Sequence, residues 1–163
     1  ARMATHLFNA MSQANARAPG LVGAALDHPR VASGLIADGV HVHPAMIRAA
    51  LAANRGAAEV FLVTDAMATG GSDITSFTLN DREILRREGR LTLADGTLAG
   101  ADLSLLQAVR YMHETVGEPL ERSLARATVI PAGMLPKPPE LDQATAMIWI
   151  KDDLSELHWL TEL

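Results

Sequence analysis

Val60-Phe61-Leu62-Val63-Thr64-Asp65 is the stretch that decides the fold. Residues 59–64 are almost continuously apolar, as expected of a strand buried on both faces in a parallel sheet, and Asp65 closes the run with a carboxylate. Pro44 opens a helix predicted over about 44–54; Ala45, Ile47, Ala49, Ala50 and Leu51 fit it, and Gly56 ends it. Residues 31–37 form a strand candidate ahead of that helix, closed by the turn dipeptide Asp38-Gly39. Strand, helix, strand is one βαβ unit and places the chain in the α/β class. Further upstream, residues 4–8 read as the end of another strand, again followed by polar side chains at Thr5-His6 and Asn9. Chemistry-capable residues at successive strand ends are what a (β/α) barrel uses to build a site at the C-terminal rim of its strands. Histidines and an aspartate in that setting point to metal-assisted hydrolysis.

Composition narrows the classes. The 163 residues suit one domain and are short for a complete eight-stranded barrel, which needs about 250 residues. A 48% hydrophobic content supports a real core and excludes a disordered polymer. The net charge of −5 is interspersed, and the absence of a basic stripe argues against nucleic acid. Without cysteine there is no disulfide framework and no thiolate metal site; the compartment stays open, with cytoplasm the default. No apolar run approaches the roughly 20 residues needed to span a membrane. Ala1-Arg2-Met3-Ala4 is not followed by the apolar segment of a signal peptide, and a start almost on a site motif reads as a fragment.

Around the βαβ unit, residues 9–20 read as a loop with a short helical turn. Residues 21–27 fit either a helical turn or a strand. Residues 67–73 are small and glycine-rich, a loop or lid. Short strands at 77–80, 83–87 and 90–94, with turns at Asn80-Asp81, Glu88-Gly89 and Asp95-Gly96, predict a β meander inserted at about 74–95. A helix at about 103–116 takes Asp102 as N-cap, carries the stripe Leu103, Leu106, Val109 and Met112, and stops at Gly117. A second helix begins at Pro119, runs to about 127 and carries Leu120, Leu124 and Ala127. The proline-rich residues 131–142 read as a linker, followed by a strand at 145–150 and another at 156–160.

Each chemical candidate has a plain alternative. His6 at a strand end is open to a metal; otherwise it is a histidine satisfied by a hydrogen bond. His41 and His43, two apart, fit a His-x-His metal pair, but His43 before Pro44 reads better as a helix start and His41 as the site residue. Asp65 is placed to act as a general base, or else it caps the next segment. Arg17 holds a phosphate or carboxylate, or is an ordinary surface arginine. Gly70-Gly71 and Gly96 to Gly100 let backbone approach a ligand, or are plain turns; neither matches a phosphate-loop or dinucleotide fingerprint.

Six segments in order carry a resemblance: Thr5 to Met11, Pro19 to Ala24, Ala37 to His41, Leu62 to Ala66, Thr97 to Gly100, and Ala127-Thr128 through Pro131-Ala132. Together they resemble the N-acetylglucosamine-6-phosphate deacetylases of the amidohydrolase superfamily, over about residues 3–133. The resemblance implies the C-terminal part of a (β/α)8 barrel over 1–135, with 136–163 a linker and the end of a small flanking β domain. It implies a divalent metal, zinc or iron, with His6 as one ligand and a glutamate and a second histidine upstream. It implies that Asn9, Ala10 and Arg17 meet the sugar phosphate, that His41 contacts substrate, and that Asp65 is the catalytic acid/base. Leu98, Ala99 and Gly100 match a loop that closes over substrate. The implied reaction converts N-acetylglucosamine 6-phosphate to glucosamine 6-phosphate and acetate, in a homodimer. The alternatives are another amidohydrolase, acting on cyclic amides or N-acyl amino acids, and a non-catalytic sugar-phosphate-binding fragment.

Overall fold

The computed structural model describes residues 1–55, 59–136, 147–151, 154 and 157–160. Its centre is a three-stranded parallel sheet of β1 (Met3–Ala4), β2 (Ala32–Leu35) and β3 (Val60–Leu62), in that order across the sheet. Ala4 pairs with Ser33, and Leu35 with Leu62. The run at 59–64 forms the strand its apolarity predicts, trimmed to three residues. Helix α1 (Gly20–Asp27) follows β1, which resolves residues 21–27 as helix. Helix α2 (Pro44–Ala53) joins β2 to β3 and completes the βαβ unit; its predicted stop at Gly56 lies outside the described residues.

The core forms where the helices cover this sheet. Leu35, Val60 and Leu62 of the strands, Val22, Ala25 and Leu26 of α1, and Ile47 and Ala50 of α2 are buried together. Each large aliphatic side chain withdrawn from water contributes about 1.5–3 kcal/mol. Helix α3 (Leu105–Tyr111) adds Ala108 and Val109, and its end winds into a π-helical segment at Met112–Val116 that buries Met112 and Val116. The predicted stripe is real, but the cap differs. Ser104, not Asp102, caps α3 through a reciprocal pair with Gln107. Asp102 is withdrawn from that role because its carboxylate accepts from Arg86 Nε at 2.8 Å.

Helices α4 (Leu120–Ala127) and α5 (Val129–Ala132) follow, so the start of the predicted linker is helical; its residues 137–142 lie outside the described set. Arg126 on α4 is a buried cation. Its guanidinium meets both Glu118 carboxylate oxygens at 2.8–3.0 Å and donates to the Val60 carbonyl at 2.5 Å. It thereby ties α4 to the entry of β3.

The meander is a four-stranded antiparallel sheet: β4 (Ser76–Leu79), β5 (Arg82–Arg87), β6 (Arg90–Thr92) and β7 (Leu98–Ala101). Its first two turns put Asn80 and Asp81, then Glu88 and Gly89, at positive φ, the geometry whose twist matches a two-residue hairpin. The fourth strand was not expected, since Leu98-Ala99-Gly100-Ala101 lacks β-branched residues and any alternation. The meander therefore runs to Ala101 rather than about 95. Beyond it, β8 (Met147–Ile150) and β9 (Leu157–Leu160) pair antiparallel, within the two strands expected of the tail.

Candidate active site

Parallel pairing puts the C-terminal ends of β1, β2 and β3 on one edge, so the three polar segments of the sequence share a rim. Asp38 and Asp65 each follow the last register pair, Leu35 and Leu62, by three residues. The strand expected at 4–8 ends at Ala4. Residues 5–10 turn tightly instead, with His6, Phe8 and Ala10 at φ +32°, +76° and +49°. The turn is held because Leu7 is fully buried and its N–H donates to the Gly34 carbonyl at 2.7 Å. Left-handed backbone in non-glycine residues costs of order 1–3 kcal/mol each and clusters at functional sites.

His6 is half-buried, and its Nδ1 lies 2.9 Å from the Asn9 carbonyl oxygen. A carbonyl only accepts, so Nδ1 carries a proton, and in the neutral ring Nε2 is then the nitrogen left with a lone pair, the tautomer a metal ligand needs. Asn9 donates its amide to the Leu7 carbonyl at 3.3 Å. Gln13, which the sequence did not single out, donates to the carbonyls of Phe8 and Met11 at 2.6 and 2.9 Å and holds the Asn9-Ala10 loop. Arg17 is exposed in a turn closed by Asn15 and Ala18, and among the described residues nothing pairs with it.

After β2 the chain makes an Asx turn. Asp38 Oδ1 accepts from the N–H groups of Val40 and His41 at 2.9 and 2.8 Å, and Oδ2 accepts from His41 Nδ1 at 2.6 Å. The two side chains are 11% and 8% exposed. Burial pushes the Asp38 carboxyl up, but the His41 imidazole and the two backbone N–H groups together outweigh it and hold the carboxyl below its usual value. His43 is the helix start expected: its Nδ1 accepts from Ala45 N–H at 3.2 Å, as the N-cap of α2.

Asp65 sits at φ +52°, exposed beyond β3, and its carboxylate has no partner among the described residues. It caps no helix, so the alternative reading of Asp65 falls away. Its backbone carbonyl accepts from Ala101 N–H at 3.1 Å, and Ala66 bridges Ala101 in parallel. Leu98, Ala99 and Gly100 thus belong to strand β7, not to a loop. Gly100 lets the strand pass closely: a Cβ there would lie 2.7 Å from Met67 Sδ, so the methionine would have to move, and 3.3 Å from the Asp65 carbonyl. Arg86 fastens the glycine-rich segment after Asp65, donating to the Ser72 carbonyl at 2.6 Å while paired with Asp102. A second residue missed from sequence is Tyr111, whose ring and hydroxyl cover the Asp38-Gly39 turn. Nothing in a lone tyrosine at a helix end signals that contact.

A metal needs more than this rim offers. Among the described residues no group of three or more His, Cys, Asp or Glu side chains stands close enough to hold an ion, whereas a catalytic zinc takes three protein ligands. His6 fits the part of one ligand; the described set does not complete a site.

No family model matches the chain. An N-acetylgalactosamine-6-phosphate deacetylase of Shewanella sp. (strain ANA-3) is 39% identical over 153 residues, covering 91% of this chain and 39% of that protein. A protein of Escherichia coli (strain K12), whose name assigns it provisionally to the N-acetylgalactosamine-6-phosphate deacetylases, is 38% identical over 130 residues, 80% of this chain and 77% of its own length. Among solved structures, an aspartate-to-alanine mutant of the Mycobacterium smegmatis N-acetyl-D-glucosamine-6-phosphate deacetylase, in complex with N-acetyl-D-glucosamine-6-phosphate, superposes with a TM-score of 0.82 at 31% identity, covering 94% of this chain and 42% of the other. The chain spans about two-fifths of the length of the Shewanella and Mycobacterium proteins.

Proposed function

We infer the activity from the family, for this chain belongs to the N-acetylglucosamine- and N-acetylgalactosamine-6-phosphate deacetylases. We propose that it is the C-terminal part of such an enzyme, hydrolysing N-acetylglucosamine 6-phosphate to glucosamine 6-phosphate and acetate. The observation that carries this reading is Asp65: an unpartnered carboxylate at the end of a buried parallel strand, held at positive φ, on the rim shared with His6 and His41. The strand order β1-β2-β3, sequential and parallel with a helix between each pair, supports a segment of a (β/α)8 barrel over residues 1–135. Strands β8 and β9 would then close the small β domain assigned to 136–163, most of the rest of which lies outside the described residues.

In this mechanism Asp65 takes the proton from the attacking water and returns it to the departing amine. His41 meets the substrate through Nε2, since Nδ1 is committed to Asp38. Asn9, Ala10 and Arg17 line the phosphate, with the Arg17 guanidinium, which has no partner among the described residues, matching its geometry. We propose His6 as one ligand of a divalent metal, zinc or iron, completed by ligands that the described residues do not supply; no step above runs through it. Leu98, Ala99 and Gly100 approach the substrate as a strand braced on Asp65. The family reading extends to a homodimer in the cytoplasm, where the charge of a sugar phosphate retains it.

Acetate release from N-acetylglucosamine 6-phosphate, with N-acetylgalactosamine 6-phosphate as competitor, tests the reaction and the sugar together. Measured on the full-length enzyme that contains this segment, release from neither, with metal supplied, removes the proposal. Arg17→Ala separates the phosphate from the rest of the substrate. A lost charge-assisted contact of about 1.5–3 kcal/mol raises KM for the phosphorylated sugar by about 10–100-fold. For unphosphorylated N-acetylglucosamine KM should stay within about twofold; equal effects on both substrates would remove Arg17 from the phosphate site.

A further inference from the structure

Resting on the deacetylase reading, we propose that Asp38 and Tyr111 are positioning residues for His41, which hold its imidazole as the Nδ1–H tautomer and leave Nε2 for the substrate. Asp38 uses its two oxygens differently. Oδ1 is committed to the backbone N–H groups of Val40 and His41, which fixes the carboxylate plane. Oδ2 is then left facing His41 Nδ1 at 2.6 Å, where a carboxylate can only accept. The imidazole must therefore donate from Nδ1. Its Nε2 has no partner among the described residues.

Tyr111, at the end of α3, covers the turn that carries this pair. A Cβ on Gly39 would lie 2.6 Å from Tyr111 Oη and 2.9 Å from its Cζ, so the tyrosine rests directly on the glycine backbone between Asp38 and His41. Gly39 is doubly required, because its φ of +74° is also unfavourable for other residues. From neighbouring elements, Tyr111 on α3 lies beside Asp38 and Gly39, and Arg48 on α2 lies near the tyrosine while donating to the Thr115 carbonyl at 3.4 Å. Burial and the Asp38 charge push the Tyr111 phenol up, while Arg48 opposes this, so Tyr111 stays neutral beside the carboxylate. The π-helical segment beginning at Met112 follows Tyr111 directly and packs on α2, which fixes where α3 presents the ring.

Asp38→Asn reads the arrangement out. The asparagine oxygen would keep both backbone N–H bonds, which turns its NH2 toward His41 Nδ1. A donor there forces Nδ1 to accept and moves the proton to Nε2. Long-range nitrogen–proton NMR of histidine-labelled protein should show His41 as the Nδ1–H tautomer in the wild type and Nε2–H in Asp38→Asn. Turnover should fall by at least about 100-fold, less than the roughly 10⁴-fold lost when a wrong tautomer disables a general-base histidine. KM should move less than kcat, and Asp38→Glu should restore the wild-type tautomer. Tyr111→Phe should keep the tautomer, whereas Tyr111→Ala should yield a mixture.

A wild-type His41 that carries its proton on Nε2, or exchanges between both forms, overturns the proposal without any variant, so misfolding of Asp38→Asn cannot shelter it. An Asp38→Asn protein with wild-type tautomer and turnover overturns it as well. A full-length, metal-loaded wild type that releases no acetate but shows the Nδ1–H form refutes the deacetylase reading and leaves the pair standing as a structural device.

Discussion

Asp65→Asn should lower acetate release by about 10²–10⁴-fold, the usual contribution of a general acid/base. Asparagine keeps the size of the side chain and removes only its ability to carry the proton between water and amine. Because the Asp65 carboxylate has no partner among the described residues, its replacement leaves no buried group stranded. Thermal stability should therefore change little, and the φ of +52° is one that asparagine tolerates better than most residues. Steady-state kinetics with a melting curve on the same preparation check both halves. Unchanged kcat would remove Asp65 from the chemistry; a collapsed melting temperature would make it a structural residue.

The largest stability effect is expected at Arg126. Its side chain and that of Glu118 are 8% and 9% exposed, and the guanidinium also satisfies the Val60 carbonyl. Arg126→Ala would leave a carboxylate buried without its cation and a carbonyl without its donor. Breaking one side of a buried pair costs about 3–5 kcal/mol. Arg122 remains nearby, already paired with Glu59. The double change Arg126→Met with Glu118→Leu removes both charges at similar volume and should recover most of the loss. Denaturant unfolding of the two variants decides the matter. Equal destabilisation of single and double variants would locate the cost in packing rather than in the stranded charge.

What was legible in the sequence follows from periodicity and from a few punctuating residues. The apolar run ending at Asp65, the proline at position 44 and the dipeptide Asp38-Gly39 each carry their own local physics, so the βαβ unit was visible. The hairpin turns at Asn80-Asp81 and Glu88-Gly89 were visible for the same reason. Strand β7 was not. Its small residues have no strand preference of their own and are extended because β6 pairs with them and Met67 fills the space over Gly100. The Asp102 cap failed through competition: an arginine sixteen residues earlier took the carboxylate, and Ser104 took the helix.

The sequence by itself determined the α/β class, the strand ends at which chemistry-bearing side chains stand, and the family the chain resembles. These depend on neighbours in the chain, where spacing and residue type act directly. Only the tertiary structure decided that the segment at 5–10 is a strained turn pinned by Gly34, which proton His6 and His41 each carry, and that Tyr111 covers Gly39. Those outcomes depend on partners far apart in sequence. A hydrogen bond or close contact between them is set by where the packed elements bring two atoms, and no local pattern encodes that meeting.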